Sequence, residues 1–545
     1  MLDRDGNVVS AEPIHVQELD EPVPTQSPIY TNRKRVRLSM GGLEPGHILD
    51  YSYTIRMSDP AMAGNFWLRR GVNGAGTLRR YRLRVDLPEA LEPRVRLQNV
   101  EEPEISRADG RLIREWRFSN VERVLSEPFA ADSNGVVQSI TLGPDLEWDD
   151  VARWYADLAA DRYAPLGPEL EARLADLVAG AGTREDSLRA VHRWVAQDIR
   201  YVSISLGLGG YQPRTPAEVL ATASGDCKDK ATLFIALARH MGVEAYPVIV
   251  STGAAVRTDM PSISQFNHMV VALRPRQGGA WHYLDLTVPI APYDEVYGGM
   301  QSREGILLRD DGTAEPMRFP TSPASANRSV IEMTGSLDEN GAFLGRYVEY
   351  LAGSTQYRIR SEFARTLTEQ QRASVARNVA NRVFEGASGD SLVTFDGNDL
   401  TAEPRLEARV TAEGVLRPIG GGYMLRLQLP RYGSRAALDA LQRERRFPID
   451  VAKVFGLREH VTLFRVTLPE GWSAELPESV RAESAFGTYS SSYRQEGREL
   501  IVERVVRGTD GILPPERKDE LIGWYEAMLA DDVEYVMISP PAGGG

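Results

Sequence analysis

A single cysteine, Cys227, is present among the 545 residues of this chain. No internal disulfide can form, so the thiol is either buried and inert or placed for chemistry. It lies in the run Gly-Asp-Cys-Lys-Asp-Lys at 225–230, directly before an apolar run at 231–241 that stops at Gly242. This pattern predicts a helix that begins at the cysteine and ends at the glycine.

The predicted position of the cysteine favours a reactive thiol. At a helix N-terminus, unpaired backbone N–H groups and the helix dipole stabilise a thiolate. Two of the five lysines in the chain, Lys228 and Lys230, lie within three residues of Cys227. The alternative is a small buried hydrophobe, which is what most free cysteines are. The charged residues on both sides argue against an apolar slot.

A thiol nucleophile needs a base and a group that orients the base. Downstream of the cysteine helix, the apolar runs 266–273 and 281–287 flank a Gly-Gly turn, which predicts a β-hairpin. If Arg276 and Gly279 flank a two-residue turn, the two residue numbers of every pair in the ladder sum to 555.

This register places His268 diagonal to Asp285 on one face of the hairpin. Diagonal neighbours are about 7–8 Å apart, within reach of their side chains. His282 differs from Asp285 by an odd number of positions and therefore lies on the other face. The hairpin selects His268 as base and Asp285 as orienter. The alternatives are a structural histidine and a solvated turn aspartate.

The order of a cysteine at a helix start, a histidine on a strand and an aspartate on the next strand resembles the transglutaminase-like branch of the papain-like thiol enzymes. The matching stretches are 225–230, 266–270, 283–287, 199–201 and 211–220, and the resemblance covers 165–300. It implies an α+β papain-like core with a Cys-His-Asp triad and with neither a metal nor a cofactor. Some animal relatives require calcium, but no loop rich in oxygen ligands stands out here.

The resemblance also implies a role for each residue. Cys227 would attack a carbonyl carbon as the thiolate, and His268 would deliver the proton to the leaving amine. Asp285 would fix the imidazole tautomer. The tetrahedral intermediate needs hydrogen-bond donors. The backbone N–H of Cys227 is one candidate, and the side chain of Tyr201 or of Gln212 is another. An interfacial tyrosine and a polar loop residue are the alternatives.

The length predicts about three domains. We expect an N-terminal β-sandwich-like domain at 1–147, the catalytic core at 148–318 and a C-terminal β-rich domain with helical insertions at 328–545. The fold class is then α+β, with two antiparallel β-rich domains flanking the core. Alternation predicts a strand at 48–55. The charged cluster at 443–446 is typical of a solvated face.

The N-terminal segment resembles the β-rich domain of unknown function that precedes such a core in many bacterial proteins. That family usually has an exported N-terminus and extra leading strands. Here the chain opens on a turn-like run, Asp3 to Gly6, which suggests a misassigned start or a truncation, and it carries no secretory signal. The resemblance implies the periplasm or cell envelope, and the compartment stays unknown.

Net charge and hydropathy exclude some classes of partner. The net charge of −13 argues against a nucleic-acid partner. No stretch reaches the roughly 20 apolar residues of a membrane span. The resemblance to transglutaminase-like enzymes implies a protein or peptide as the substrate.

Three functions remain open. The first is transglutaminase-like amide chemistry through a thioester that an amine or water captures. The second is a cysteine protease or amidase that uses the same triad. The third is a non-catalytic binding scaffold of the cell envelope, built on a degenerate core. The presence of Cys227, His268 and Asp285 together counts against the third.

Overall fold

The computed structural model describes residues 1–541 apart from 21–28, 31–32, 75, 126, 132–136, 164, 205–206, 254 and 428–434. By its internal contacts the chain divides into two units, each drawn from separate stretches. The first comprises 1–68, 143–289 and 303–318, and the second comprises 69–142, 290–302 and 319–545. The three-domain division with boundaries near 147 and 318 stays a prediction.

The α-helices fall into two groups along the chain. Five precede residue 241, and five lie between 357 and 531 in the described part. They are α1 (Trp148–Ala159), α2 (Pro168–Val178), α3 (Arg184–Gln197), α4 (Pro216–Thr222), α5 (Cys227–His240), α6 (Tyr357–Phe363), α7 (Glu369–Val383), α8 (Arg435–Leu441), α9 (Val451–Val454) and α10 (Lys518–Asp531).

The strands fall into three groups along the chain. The first group is β1 (His15–Asp20), β2 (Ile29–Tyr30), β3 (Lys34–Ser39), β4 (Leu68–Gly71), β5 (Leu78–Pro88), β6 (Arg94–Gln98), β7 (Glu104–Ala108), β8 (Arg111–Val121) and β9 (Ser139–Gly143). The second is β10 (Arg200–Tyr201), β11 (Ser203–Ile204), β12 (Ser224–Gly225), β13 (Glu244–Val250), β14 (His268–Arg274), β15 (His282–Leu284), β16 (Glu304–Leu308) and β17 (Ala314–Arg318). The third is β18 (Arg328–Leu337), β19 (Phe343–Leu351), β20 (Ser388–Val393), β21 (Arg405–Ala412), β22 (Leu416–Ile419), β23 (Gly422–Leu425), β24 (Ile449–Asp450), β25 (Glu459–Thr467), β26 (Ser473–Glu475), β27 (Val480–Ser484), β28 (Gly487–Glu496), β29 (Glu499–Gly508), β30 (Ile512–Leu513) and β31 (Val536–Ser539).

The first unit is built around a five-stranded antiparallel sheet in the order β15-β14-β13-β16-β17. Helix α5 packs against β13 and β14, and its residues 231–238 are all buried. The predicted ends of this helix are confirmed. It begins at Cys227 and is followed by Gly242 at φ +75°, a left-handed conformation that glycine adopts without strain.

The second unit is β-rich, as expected. Its largest sheet has eight strands in the order β20-β21-β19-β18-β25-β29-β28-β27, and α7 packs on β20 and β21. The pairing is antiparallel except between β18 and β25, which run parallel. A parallel pair needs a long crossover, and the chain between these two strands supplies one whose described residues form four α-helices.

The predicted strand at 48–55 is not formed. Only Ile48 pairs, through an isolated bridge to Leu2, and no strand is assigned among the described residues from 49 to 58. The alternating side chains of Tyr51, Tyr53 and Ile55 are 72%, 74% and 77% exposed. Alternation makes a segment able to enter a sheet, but a strand also requires a neighbouring backbone to pair with.

The predicted turn at the start of the chain is present. The N–H of Asp3 donates to the carbonyl of Asn7 over 2.9 Å, and Gly6 takes a φ of +89°. Leu2 and Val8 then pair across the turn. These first residues therefore form a small hairpin.

The expectation of a solvated charged face at 443–446 is wrong for one residue. The side chain of Arg445 is 2% exposed and donates to the carbonyl of Pro128 over 2.8 Å. Its charge is balanced by Glu127, 3.6 Å away. Because this carboxylate comes from more than 300 residues earlier in the chain, local composition cannot reveal the burial.

Candidate active site

The cysteine helix begins with a reciprocal capping box. The side chain of Asp226 accepts from the backbone N–H of Asp229 at 3.3 Å, and the Asp229 carboxylate accepts from the N–H of Asp226 at 3.2 Å. Cys227 is the first residue of the helix and is partly exposed. Its thiol therefore lies at the positive end of the helix dipole.

A second contact fixes the chain that enters this helix. Arg214 donates to Asp229 from its backbone N–H at 2.8 Å and from its Nε at 3.0 Å. Its Nη2 also donates to the carbonyl of Ser224 at 2.5 Å. At Gly225 an added Cβ would lie 2.7 Å from the Cβ of Asp229, so only glycine fits at this approach.

Two further charges are buried beside the thiol. Lys228 forms an ion pair with Asp226, and both side chains are less than a tenth exposed. Burial raises the pKa of Asp226, although the ammonium of Lys228 opposes this rise. Asp226, Lys228 and Asp229 at the start of the helix are therefore buried and paired with opposite charges, which is unlike an apolar slot.

The hairpin that carries the other two site residues has the predicted register. Val271 pairs with Leu284, and Leu273 pairs with His282, so the numbers in each pair sum to 555. The N–H of Gly279 closes the turn by donating to the carbonyl of Arg276 at 2.9 Å. Regular pairing ends at Leu284, one residue before Asp285.

His268 and Asp285 are hydrogen-bonded. The distance from His268 Nε2 to Asp285 Oδ2 is 3.0 Å. The other oxygen, Oδ1, accepts from the backbone N–H of Thr287 at 3.0 Å and from its Oγ1 at 2.7 Å. Burial would raise the pKa of Asp285, but His268 and Thr287 outweigh burial and lower it. The carboxylate is thus ionised and held in one orientation.

The charged form of His268 is strongly favoured. Burial alone would lower the pKa of the imidazole. The Asp285 carboxylate, together with a hydrogen bond and charge interaction with Cys227, raises the pKa of His268 to about 10. Because Nε2 faces Asp285, Nδ1 is the ring nitrogen left for the thiol. A protonated imidazole beside a cysteine stabilises the thiolate.

The two candidates for a side-chain oxyanion donor differ in position. Tyr201 lies on β10, which pairs in parallel with β12 so that Tyr201 is opposite Gly225. Burial, and then the charges of Cys227, Asp226 and Asp285, raise the pKa of Tyr201. The phenol therefore keeps its proton and can donate it in a hydrogen bond near the thiol.

Gln212 has a different environment. Its side-chain Nε2 donates to the carbonyl of Leu158, near the end of α1, over 3.0 Å. This bond ties the loop to a helix. Of the two candidates, Tyr201 is the one whose pKa is affected by the charge of Cys227.

Several residues near the thiol were not among the site residues predicted from the sequence. Thr287, Arg214 and Asp229 orient other groups, and Lys230 is 1% exposed. The motif around Cys227 contains Asp229 and Lys230. Charged residues at the start of a buried helix are the sequence signal from which a role for these two could have been inferred. Tyr155 is different. It is buried close enough for Cys227 to affect its pKa, which burial raises, and no sequence pattern pointed to it.

The described residues offer neither a metal site nor a membrane-spanning helix. No group of three or more His, Cys, Asp or Glu side chains in this part of the chain could hold a metal ion. No helix there is long and apolar enough to cross a membrane.

Comparison with family models identifies three segments. Residues 171–286 match the transglutaminase-like superfamily. Residues 1–124 match a domain of unknown function, DUF3857, and residues 427–535 match another, DUF3858. The cysteine, the histidine and the aspartate described above all lie in the central segment.

One solved structure shares the architecture along nearly the whole chain. It is a crystal structure from Parabacteroides distasonis described as a "putative protease", with 12% identity and a TM-score of 0.59. The match covers 99% of this chain and 87% of the other. At this identity the likeness concerns the fold alone. No curated protein matches the chain.

Proposed function

The chain has a transglutaminase-like core between two β-rich domains, and on that premise we propose that it is a thiol enzyme acting on amide bonds of a protein or peptide. Cys227 is the nucleophile, His268 the acid and base, and Asp285 the orienter. The main support is the interaction of His268 with both other groups. Its Nε2 is 3.0 Å from Asp285 Oδ2, and Cys227 helps to raise the pKa of the imidazole.

In the first step the Cys227 thiolate attacks the amide carbonyl carbon, and a C–S bond forms. The carbonyl oxygen becomes an oxyanion, which the backbone N–H of Cys227 and the phenol of Tyr201 stabilise. The imidazolium of His268 gives its Nδ1 proton to the leaving amine as the C–N bond breaks. The products of this step are a thioester on Cys227, a neutral His268 and a free amine.

In the second step a nucleophile attacks the thioester. His268, now neutral, takes the proton of that nucleophile, and the C–S bond breaks to restore the thiolate–imidazolium pair. An amine nucleophile gives acyl transfer to a new amide, and water gives hydrolysis. Access of water to the thioester decides between these outcomes.

Hydrolysis is the second candidate function. It is supported by the description of the structural neighbour as a protease, which is a statement about that protein. A third possibility, a binding scaffold with a degenerate core, is less well supported because the nucleophile, base and orienter are all retained. A decayed active site commonly loses one of these groups.

The test uses a glutamine-containing protein such as casein with a fluorescent primary amine. Incorporation of the amine supports acyl transfer, whereas new peptide termini or ammonia without incorporation support hydrolysis. Either activity should be absent in Cys227→Ala. An acyl adduct on Cys227 formed with p-nitrophenyl acetate tests the chemistry without a known substrate. Failure of wild-type protein to form it would rule out the proposed function.

A further inference from the structure

Lys230 is a buried cation that the proposed mechanism does not use. It lies in the first turn of α5, three residues after Cys227, and is 1% exposed. Its Nζ donates to the carbonyl of Ala196 at 3.1 Å and to that of Ile199 at 2.8 Å. These carbonyls belong to the last turn of α3 and to the residue two positions before Tyr201.

The position suits an ammonium group. Carbonyls at a helix C-terminus lack partners within the helix and carry partial negative charge, so a cation there is favourable. Burial lowers the pKa of Lys230 to about 8, while the charge of Asp285 opposes this effect. A buried amine is a costly way to close a helix end, which suggests that this contact serves the site.

The same segment is held from a second direction. The backbone N–H of Arg200 donates to the carbonyl of Ala223 at 2.9 Å, and the N–H of Val202 donates to that of Gly225 at 3.1 Å. Tyr201 is the residue between these two donors. Its position is therefore set by the chain just before Cys227 and by the lysine just after it.

We propose that Lys230 is a positioning residue. By donating hydrogen bonds to the carbonyls of Ala196 and Ile199, it holds Tyr201 beside Cys227. This inference rests on the proposed function, since Tyr201 matters only if an oxyanion develops. Lys230 touches neither substrate nor reacting atoms. It acts through the segment that ends at Tyr201.

Two reactions of the same thiol separate this role from a general structural one. Acylation by p-nitrophenyl acetate develops an oxyanion and needs the Tyr201 donor, whereas alkylation by iodoacetamide needs only the thiolate. Removal of one oxyanion donor typically lowers the rate about 10²–10³-fold. We expect Lys230→Met to slow acylation by a factor similar to that of Tyr201→Phe. Alkylation should stay close to the wild-type rate.

The double variant gives the sharper result. If Lys230 acts through Tyr201, Tyr201→Phe should cost little more in a Lys230→Met background, because the donor is already displaced. The proposal would be overturned if the fold-loss of acylation in the double variant equalled the product of the losses in the two single variants. An equal loss of alkylation and acylation in Lys230→Met would also overturn it, because the lysine would then act on the thiolate–imidazolium pair.

Lys453→Met is the matched control. Lys453 also donates to a backbone carbonyl, that of Ala130 at 2.9 Å, but in the second unit. Both rates should match wild type in this variant. If Lys230→Met fails to fold, Lys230→Gln carries the test, because the amide of glutamine keeps N–H donors without the charge and should give a smaller loss of acylation.

Hydrogen exchange of the amides at 200 and 202 provides a readout that does not depend on activity. Faster exchange of these amides in Lys230→Met, with unchanged exchange in β13 and β14, supports the positioning role. Unchanged exchange at 200 and 202 overturns it. If wild-type protein forms no acyl adduct, the proposed function is refuted. Hydrogen exchange would then be the remaining test of whether Lys230 positions the segment that ends at Tyr201.

Discussion

Two of the buried carboxylates, Asp285 in the first unit and Asp531 in the second, have partners that differ in kind. The side chain of Asp285 is 3% exposed and that of Asp531 is fully buried. Asp285 faces His268, whose charge can change, and Thr287. Asp531 faces Arg504, with its Nε 2.7 Å away, and Arg504 stays charged at any working pH.

The hydroxyl partners make the contrast sharper. Ser491 and Tyr493 each donate to Asp531 at 2.8 Å, and Tyr489 donates as well. This carboxylate is surrounded by permanent donors, so it can hold structure together but cannot take part in proton transfer. Asp285 instead orients a group that titrates beside a partly exposed thiol. Burial of charge therefore points to chemistry only where a partner can lose its proton.

The largest expected effect comes from changing the first carboxylate. Asp285→Asn should lower the rate of acylation of Cys227 by about 10⁴-fold, because the amide favours the wrong imidazole tautomer. The measurement is single-turnover acylation by p-nitrophenyl acetate. Asp531→Asn is the control and should leave the rate of the folded protein unchanged. Similar losses in both variants would erase the distinction between the two sites.

Stability should respond in the opposite way. Asp531→Ala leaves Arg504 buried without its carboxylate, which typically costs about 3–5 kcal/mol of the free energy of unfolding. Urea denaturation of the second unit measures this loss. Asp285→Asn keeps the volume and the contact with Thr287, so its effect on the urea midpoint should be smaller. A more stable Asp531→Ala variant would contradict the assigned role.

The pH dependence sharpens the comparison further. The pKa of His268 is raised to about 10. The charged imidazole therefore contributes its full stabilisation at any pH below the ordinary pKa of histidine, and this stabilisation is lost as the pH rises towards 10. We expect acylation to fall on that alkaline limb. Asp285→Asn removes the charge that raises this pKa and should shift the limb to lower pH.

Thiol alkylation tests the pairing of His268 with Cys227. A charged imidazole stabilises a neighbouring thiolate, so reaction with iodoacetamide at neutral pH should be faster in wild type than in His268→Ala. Asp531→Asn should keep the wild-type rate. Equal rates in all three proteins would show that His268 does not activate the thiol.

The smallest effect is expected at an exposed ion pair. Arg346 and Glu407 form a two-point contact on β19 and β21, and the arginine side chain is about half exposed. Water screens such a pair, and its net contribution is small. Arg346→Ala should leave the urea midpoint almost unchanged. A shift as large as that of Asp531→Ala would show that burial is not what separates strong pairs from weak ones.

The site was largely predictable because its geometry is local. The Gly-Gly turn and the period of two set the register of β14 and β15, and the cap and apolar run set the ends of α5. Tyr201 was open to inference only as one of two candidates. The choice depends on the pairing of β10 with β12, which no short pattern encodes.

The features that sequence reasoning missed depend on distant partners. Alternation at 48–55 predicted a strand, but among the described residues only Leu2 pairs with this segment, through an isolated bridge at Ile48. Arg445 is buried because Glu127 meets it from a remote stretch. Asp531 is surrounded by the hydroxyls of three residues on β28, which lies far from it in the sequence. The parallel pair of β18 and β25 likewise depends on how a long crossover closes.

Because the sequence contains one cysteine, labelling with a thiol reagent reports on the site alone. Each molecule can carry one adduct at most, so the intact mass after labelling gives the fraction of chains with an accessible thiol. No second thiol adds background to this count. Every preparation and variant can therefore be compared per labelled site rather than per milligram, which separates a slow enzyme from a partly folded one.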